Sequence, residues 1–166
     1  MVARHEGDLG KLGGEPASEE TGEYIEGIRK GDVIGVFVLA DGRIAHRAFL
    51  MRRSRTLDIL GAPDGAVLLG HAYTVPRFRG RGYQKLSIAA RMNEAWELGA
   101  ESVISETAPD NVPSMRALES AGLNRSGTLS VLVVANRLVF RRSTGAWKPA
   151  PVGWCRADGT HHVRDP

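Results

Sequence analysis

Cysteine occurs once, at Cys155, in a chain of 166 residues. A single thiol excludes an intramolecular disulfide and any metal centre built from several cysteines. His161-His162 has no accompanying ligands in sequence, so no metal is expected. Aromatic residues make up only 6% of the chain, and no apolar run approaches the length of a membrane span. The amino-terminal stretch is polar and acidic and has no apolar leader core, which predicts a soluble, cytoplasmic protein with no membrane partner. Neither charge sign dominates. The formal net charge of +3 suits an anionic ligand but is too weak to indicate nucleic acid. Two well-known phosphate loops are also missing. Gly82-Tyr83-Gln84 cannot supply the Gly-Lys-Ser/Thr of a Walker loop, and Lys85 stands where the dinucleotide fingerprint needs its third glycine.

What is present is ordinary globular usage, with 42% hydrophobic and 25% charged residues, enough for one sizeable core. Residues 1–22 lack a periodic apolar pattern and read as a mobile arm. The alternation and turn signals of the next stretch predict a short helix over Glu23–Lys30 with Tyr24, Ile25 and Ile28 inward. A hairpin follows, Val33–Leu39 and Ile44–Met51 around Asp41-Gly42, with Thr56–Leu60 continuing the meander. A strand over Ala66–Val75 enters a glycine loop, and a long helix leaves it with Leu86, Ala89, Met92 and Trp96 on the inward face, stopped at Gly99. Glu101–Glu106 reads as a strand returning by a right-handed crossover. A capped helix ends at Gly122, and Thr128–Val134 and Leu138–Arg142 form a last hairpin about Ala135-Asn136-Arg137. Residues 143–166 read as a tail or covering segment that Trp147 and Trp154 pin down.

The segment Val75-Pro76-Arg77-Phe78-Arg79-Gly80-Arg81-Gly82-Tyr83-Gln84 carries the functional signal. Glycines allow a tight turn and close approach of backbone N–H groups to a ligand. The helix start just beyond adds free N–H groups and a positive dipole end, a setting for pyrophosphate with Arg79 and Arg81 to neutralise charge. Turn formation and solubility explain the same residues without a ligand.

Arg79-x-x-Gly82-x-Gln84 resembles the acyl-CoA-binding loop of the GNAT superfamily of N-acetyltransferases, Gln/Arg-x-x-Gly-x-Gly/Ala, with Gln84 departing from the small residue usual there. A frame starting at Arg77 restores a formal match, but Val-Pro-x-x-Arg-Gly is the commoner spelling. Downstream, Asn111-Val112-Pro113-Ser114 and the helix ending Gly122-Leu123 are similar to the superfamily's second signature. A helix cap explains Asn111 equally well. The resemblance spans residues 23–142 and implies an α/β (α+β) GNAT-like acyl-CoA N-acyltransferase fold: a mixed, mostly antiparallel sheet with a splayed central strand pair, flanked by helices.

The resemblance further implies direct transfer of an acetyl group from acetyl-CoA, as co-substrate, to a primary amine of a small molecule, amino sugar or amino acid. Tyr73, Thr74 and Val75 would offer backbone contacts to the pantetheine arm. Arg79, Gly80, Arg81, Gly82, Tyr83 and Gln84 would hold the pyrophosphate, Asn111 would bond the arm, and Ser114 would lie near the cofactor. Many members place an acidic Tyr four residues before the terminal glycine, where this chain has Leu118. The candidate bases are His71 first, then Glu106, with Tyr73 sharing the face of His71 by strand alternation. Two rival readings stand beside this one: a catalytically silent acyl-CoA-binding regulatory domain, and a basic nucleic-acid-binding module. Exchange of the C-terminal hairpins between two chains would give a homodimer.

Overall fold

The computed structural model describes residues 1–12, 19–134, 138–143, 145–146 and 148–149. The hairpin turn at Ala135-Asn136-Arg137, Trp147, Trp154, Cys155 and His161-His162 lie outside the described residues. The chain divides into two compact units, Met1–Arg53 with Gly65–Asn124, and Ser54–Asp64 with Arg125–Pro166, so the expected 23–142 domain is split between them.

The first unit is built on a five-stranded sheet. Its strands are β1 (Val2–Ala3), β2 (Val33–Ala40), β3 (Arg43–Met51), β4 (Ala66–Thr74) and β5 (Ser102–Ser105), hydrogen-bonded in that order. All neighbours are antiparallel except β4 and β5, which are parallel. The β2–β3 turn puts Asp41 and Gly42 at φ 53° and 70°, the left-handed pair that matches the twist of a two-residue hairpin. Helix α4 (Tyr83–Glu97) makes the crossover from β4 to β5. On its face of the sheet Ile34, Leu50, Val67 and Leu69 close on Ala95, with Met92 and Val103 beside them. Helix α5 (Val112–Ser120) packs Ala117 and Leu118 on Ile88 of α4. The opposite face carries α2 (Glu19–Lys30), whose Ile28 is wholly buried and whose Tyr24 ring stacks on Phe49 at 4.3 Å. Each such fully buried aliphatic or aromatic side chain contributes about 2 kcal/mol of transfer free energy.

Three expectations are corrected. The stretch read as an arm enters the fold: Val2–Ala3 pair with Val36 and Gly35, Ala3 is fully buried, and Glu6–Leu9 form a helical turn, α1. Arg4 grips Glu94 of α4 with two bonds, Nε to Oε2 at 2.7 Å and Nη2 to Oε1 at 2.8 Å. That fork also holds the Arg4 guanidinium's pKa above its ordinary value, through the Glu94 hydrogen bonds first and its charge second. The α4 helix exists as expected but presents another face. Ser87, Ile88, Arg91, Glu94 and Ala95 are buried, while Leu86 and Trp96 are 60% and 85% exposed. Polar side chains that find partners inside the fold outcompete a more apolar stripe, which hydrophobic spacing alone cannot register.

The third correction lies in the second unit. Arg55–Leu60 form helix α3, not a strand. Ser54 Oγ caps it by accepting from the Thr56 amide at 3.1 Å, and Gly61 ends it at φ 61°. Arg141 donates from Nη1 to the Ile59 carbonyl at 2.8 Å, tying α3 to β7 (Leu138–Arg142). Strand β7 lies between β6 (Ser130–Val134) and β8 (Lys148–Pro149) in a separate antiparallel sheet, so the predicted hairpin is present. Among the described residues, no helix is long and apolar enough to cross a membrane.

Gly35 lets α2 approach the sheet. A Cβ there would lie 2.6 Å from Phe37 Cε2 and 3.0 Å from Ile28 Cδ1. Gly35→Ala is expected to lower stability by about 1–3 kcal/mol, measured as a reduced urea midpoint at unchanged slope; an unchanged midpoint would show that the helix gives way freely.

Candidate functional site

Strand β4 carries one residue more than its partner. Phe49 faces Gly70 and Arg47 faces Tyr73, leaving His71 and Ala72 opposite Ala48 alone. This is a β-bulge, and its first residue, His71, sits at φ 51°. A left-handed residue other than glycine costs about 1–2 kcal/mol, so surrounding structure must hold it. On the other side β5 pairs only with Ala66–Leu69. Ser105 Oγ donates to the Leu69 carbonyl at 2.8 Å where the pairing ends. Among the described residues, no strand pairs with the β5-side edge of β4 from Gly70 to Thr74. An unpaired strand edge beside a bulge is a place where an extended ligand can complete a ladder.

The chain then passes directly into the glycine loop. Pro76–Phe78 make one 3-10 turn, with Val75 N–H bonded to the Ala45 carbonyl at 3.0 Å. Gly80 and Gly82 both have φ 77°, and nothing lies within 4 Å of a Cβ built on either, so the space above the loop is open. Gly82 is the N-cap of α4, with no side-chain cap and no acidic residue in the first turn. The first helical bond is Leu86 N–H to Gly82 O at 3.2 Å. The amides of Tyr83, Gln84 and Lys85 ahead of it therefore point out of the helix end, where an anion would be held. Arg77 and Arg81 lie against the Phe78 ring at 4.7 and 5.3 Å. Arg79 is partly committed already: its Nε donates to the Thr74 carbonyl at 3.2 Å and its amide to Pro76 O at 3.1 Å. The loop thus fits a pyrophosphate through open backbone space, free amides and nearby guanidinium groups.

On the α2 face, Tyr24 gathers the candidate catalytic groups. Its ring lies 4.7 Å from that of His71, and Arg47 sits 5.2 Å above the Tyr73 ring. Burial pushes the Tyr24 phenol up to about 12, with Glu23 and Glu106 acting in the same direction and Arg47 against them. His71 lies beside Tyr24 and Tyr73 beside Arg47, while Glu106 is near enough for its charge to act on Tyr24. His71 and Tyr73 do share a face, although the bulge interrupts the alternation that predicted it. Tyr24 and Arg47 were missed as site residues; Tyr24 was read only as core. Asn111 acts as the cap of α5, its Oδ1 accepting from the Ser114 amide at 3.2 Å. Leu118 is buried against Ile88.

Below the loop lies a group that the glycine pattern does not advertise. His46 on β3 is fully buried, with Nδ1 at 2.8 Å from Thr74 Oγ1 and Nε2 at 2.7 Å from Ser87 Oγ. Arg91, also buried, donates to the carbonyls of Ser87 (3.1 Å), Phe49 (3.2 Å) and Gly70 (3.5 Å). Burial lowers the Arg91 pKa to about 10, which leaves it charged at neutral pH. Burial, helped by that charge, lowers the His46 pKa to about 4. The signal was available: His46, Ala48 and Leu50 alternate on the inward face of β3, so the histidine had to be buried with partners.

No protein-family model and no curated protein sequence matches the chain. Solved structures do resemble it. AAC(6')-IG, an aminoglycoside 6'-N-acetyltransferase from Acinetobacter haemolyticus, superposes with TM-score 0.59 at 16% identity, over 81% of this chain and 97% of that one. AAC(6')-Iy bound to the bisubstrate analogue CoA-S-monomethyl-acetylneamine gives 0.56 at 23% identity, over 78% and 86%. The ribosomal-protein-alanine N-acetyltransferase of Brucella melitensis biovar Abortus 2308 gives 0.54 at 16% identity, over 81% and 99%. The fold is that of the GNAT acetyltransferases, a mixed α/β architecture whose mostly antiparallel sheet is flanked by helices.

The buried imidazole makes stability depend on pH. His46 is neutral in the fold down to about pH 4, whereas an unfolded histidine takes its proton near pH 6.5. Between those values the unfolded chain binds the extra proton, so stability falls as pH falls, by on the order of 2–3 kcal/mol for this residue. Urea titrations of the wild type and His46→Gln from pH 7 to 4 should show a shallower loss for the variant; parallel curves would remove His46 as the cause.

Proposed function

We propose that this chain is a cytoplasmic acetyl-CoA-dependent N-acetyltransferase acting on a primary amine of a small molecule, amino sugar or amino acid. The observation that carries the reading is the continuity of β4. A bulge, an unpaired edge and an open glycine loop at a helix start follow one another within fifteen residues, Gly70 to Gln84. That succession offers in order what coenzyme A would need: room for a reactive thioester, an edge for an amide-bearing arm and a loop for a pyrophosphate.

In this reading the backbone of Tyr73 and Thr74 pairs with the arm; the Val75 contact expected from the resemblance is ruled out, because its N–H is spent on the Ala45 carbonyl and its own carbonyl on the Phe78 amide. The loop from Arg79 to Gln84 holds the pyrophosphate, and Asn111 and Ser114 border it. The donor that polarises the thioester carbonyl is a backbone N–H of β4 near Val75, other than that of Val75 itself, which the Ala45 carbonyl holds. The thioester supplies an activated acyl group; the protein supplies position, charge and a proton acceptor. His71, beside Tyr24, takes a proton from the acceptor amine as its nitrogen bonds to the carbonyl carbon, and Glu106 is the second candidate for that role. The carbon–sulfur bond breaks with its electron pair on sulfur. With Leu118 in place of a Tyr, water protonates the departing thiolate.

Two measurements test this. Calorimetry should show micromolar binding of coenzyme A to the wild type and at least a thirtyfold loss in Gly82→Val, because a β-branched residue cannot adopt φ 77° without strain. Absence of wild-type binding overturns the reading. On an amine panel that includes aminoglycosides, thiol release should appear, and His71→Ala should lower kcat by about a hundredfold, with partial recovery at high pH as the free amine becomes abundant. Binding without turnover on any amine would favour the silent acyl-CoA-binding alternative.

A further inference from the structure

The buried cluster under β4 has more order than a filled core needs. Ser87 Oγ is its centre. Its single proton goes to the Gln84 carbonyl at 3.0 Å, so the oxygen must accept from His46 Nε2 at 2.7 Å and from Arg91 Nη2 at 3.5 Å. His46 Nε2 therefore carries the imidazole proton, and Nδ1 accepts from the Thr74 hydroxyl at 2.8 Å. The relay runs in one direction, from Thr74 through His46 and Ser87 to Gln84. This direction belongs to the neutral imidazole; a protonated one would donate from both nitrogens and reverse the bond to Thr74.

The two ends of this relay are the two ends of the glycine loop. Thr74 is the last residue of β4 and Gln84 the second of α4. Arg91 extends the connection to the bulge by donating to Gly70 O and Phe49 O, carbonyls at the point where the β3–β4 register shifts. We infer that His46 and Ser87 are positioning residues that set the span of the loop before any ligand arrives, with Ser87 joining the loop to the bulge. Neither side chain reaches open solvent: both are fully buried. They act by lowering the ordering cost of binding. The consequence for coenzyme A affinity rests on the acetyltransferase reading; the consequence for the empty loop does not.

The test uses Ser87→Ala, which suits a helix interior, His46→Phe, and the double variant. Amide exchange by NMR should accelerate about tenfold or more at the bonded amides around the loop, those of Val75, Phe78, Arg79 and Leu86, in each variant, with the β2–β3 amides unchanged. Both single changes delete the same bond, so the double variant should exchange little faster than either. Long-range proton–nitrogen spectra should place the His46 proton on Nε2. Unchanged loop exchange in Ser87→Ala, or additive effects in the double variant, overturns the inference, and Ser87→Ala decides it if His46→Phe does not fold. In the binding arm, Ser87→Ala should raise the Kd for coenzyme A about tenfold. Failure of the wild type to bind coenzyme A would sink the functional reading while the exchange arm still decides the relay.

Discussion

The extra residue in β4 is the constraint on which the site depends. Two residues opposite one force the strand to bend, and His71 absorbs the mismatch with a left-handed backbone. Pairing to β5 ends at Leu69, two residues before His71. The sheet therefore has two regimes. Up to Leu69 it is a closed, buried ladder whose side chains build the core against α4. From His71 to Tyr73 the side chains are exposed, and among the described residues the β5-side edge is bare from Gly70.

Strain at the bulge is balanced by the groups beneath and above it. Arg91 reaches the Phe49 and Gly70 carbonyls from the α4 side, and Tyr24 covers His71 from the α2 side while stacking on Phe49. A buried guanidinium bonded to neutral carbonyls carries a desolvation cost, visible in its lowered pKa. Its retention is understandable where backbone acceptors would otherwise be left unsatisfied.

Much of this was legible in the sequence, for identifiable reasons. The glycine loop and the β–α–β unit around it announce themselves through residues with few conformational alternatives, Pro76, Gly80 and Gly82. The left-handed turn at Asp41-Gly42 is of the same kind. What escaped is decided by tertiary partners. The buried face of α4 includes Ser87, Arg91 and Glu94, whose burial follows from His46, from backbone carbonyls and from Arg4. Apart from the Ser87 carbonyl one turn before Arg91, these partners are distant in sequence: His46, the Phe49 and Gly70 carbonyls, and Arg4. The apolar residues of Thr56–Leu60 are compatible with a strand, and the cap at Ser54 with the terminator at Gly61 makes the segment a helix. Tyr24 was assigned to the core correctly as a packing residue, yet its place over the bulge depends on an irregularity in another strand that no periodicity reveals.

The bare edge of β4 has a bearing on what the protein excludes. A regular strand edge invites any extended peptide, including another copy of the same chain, and evenly spaced donors and acceptors are what such a guest requires. Here the available run is only Gly70–Thr74, and the bulge breaks its spacing near the start. A polypeptide arriving in register for one half is out of register for the other. An arm with a few amides set at its own intervals suffers no such conflict. The irregularity that opens the slot is thus also a filter, keeping a sticky surface from being quenched by protein.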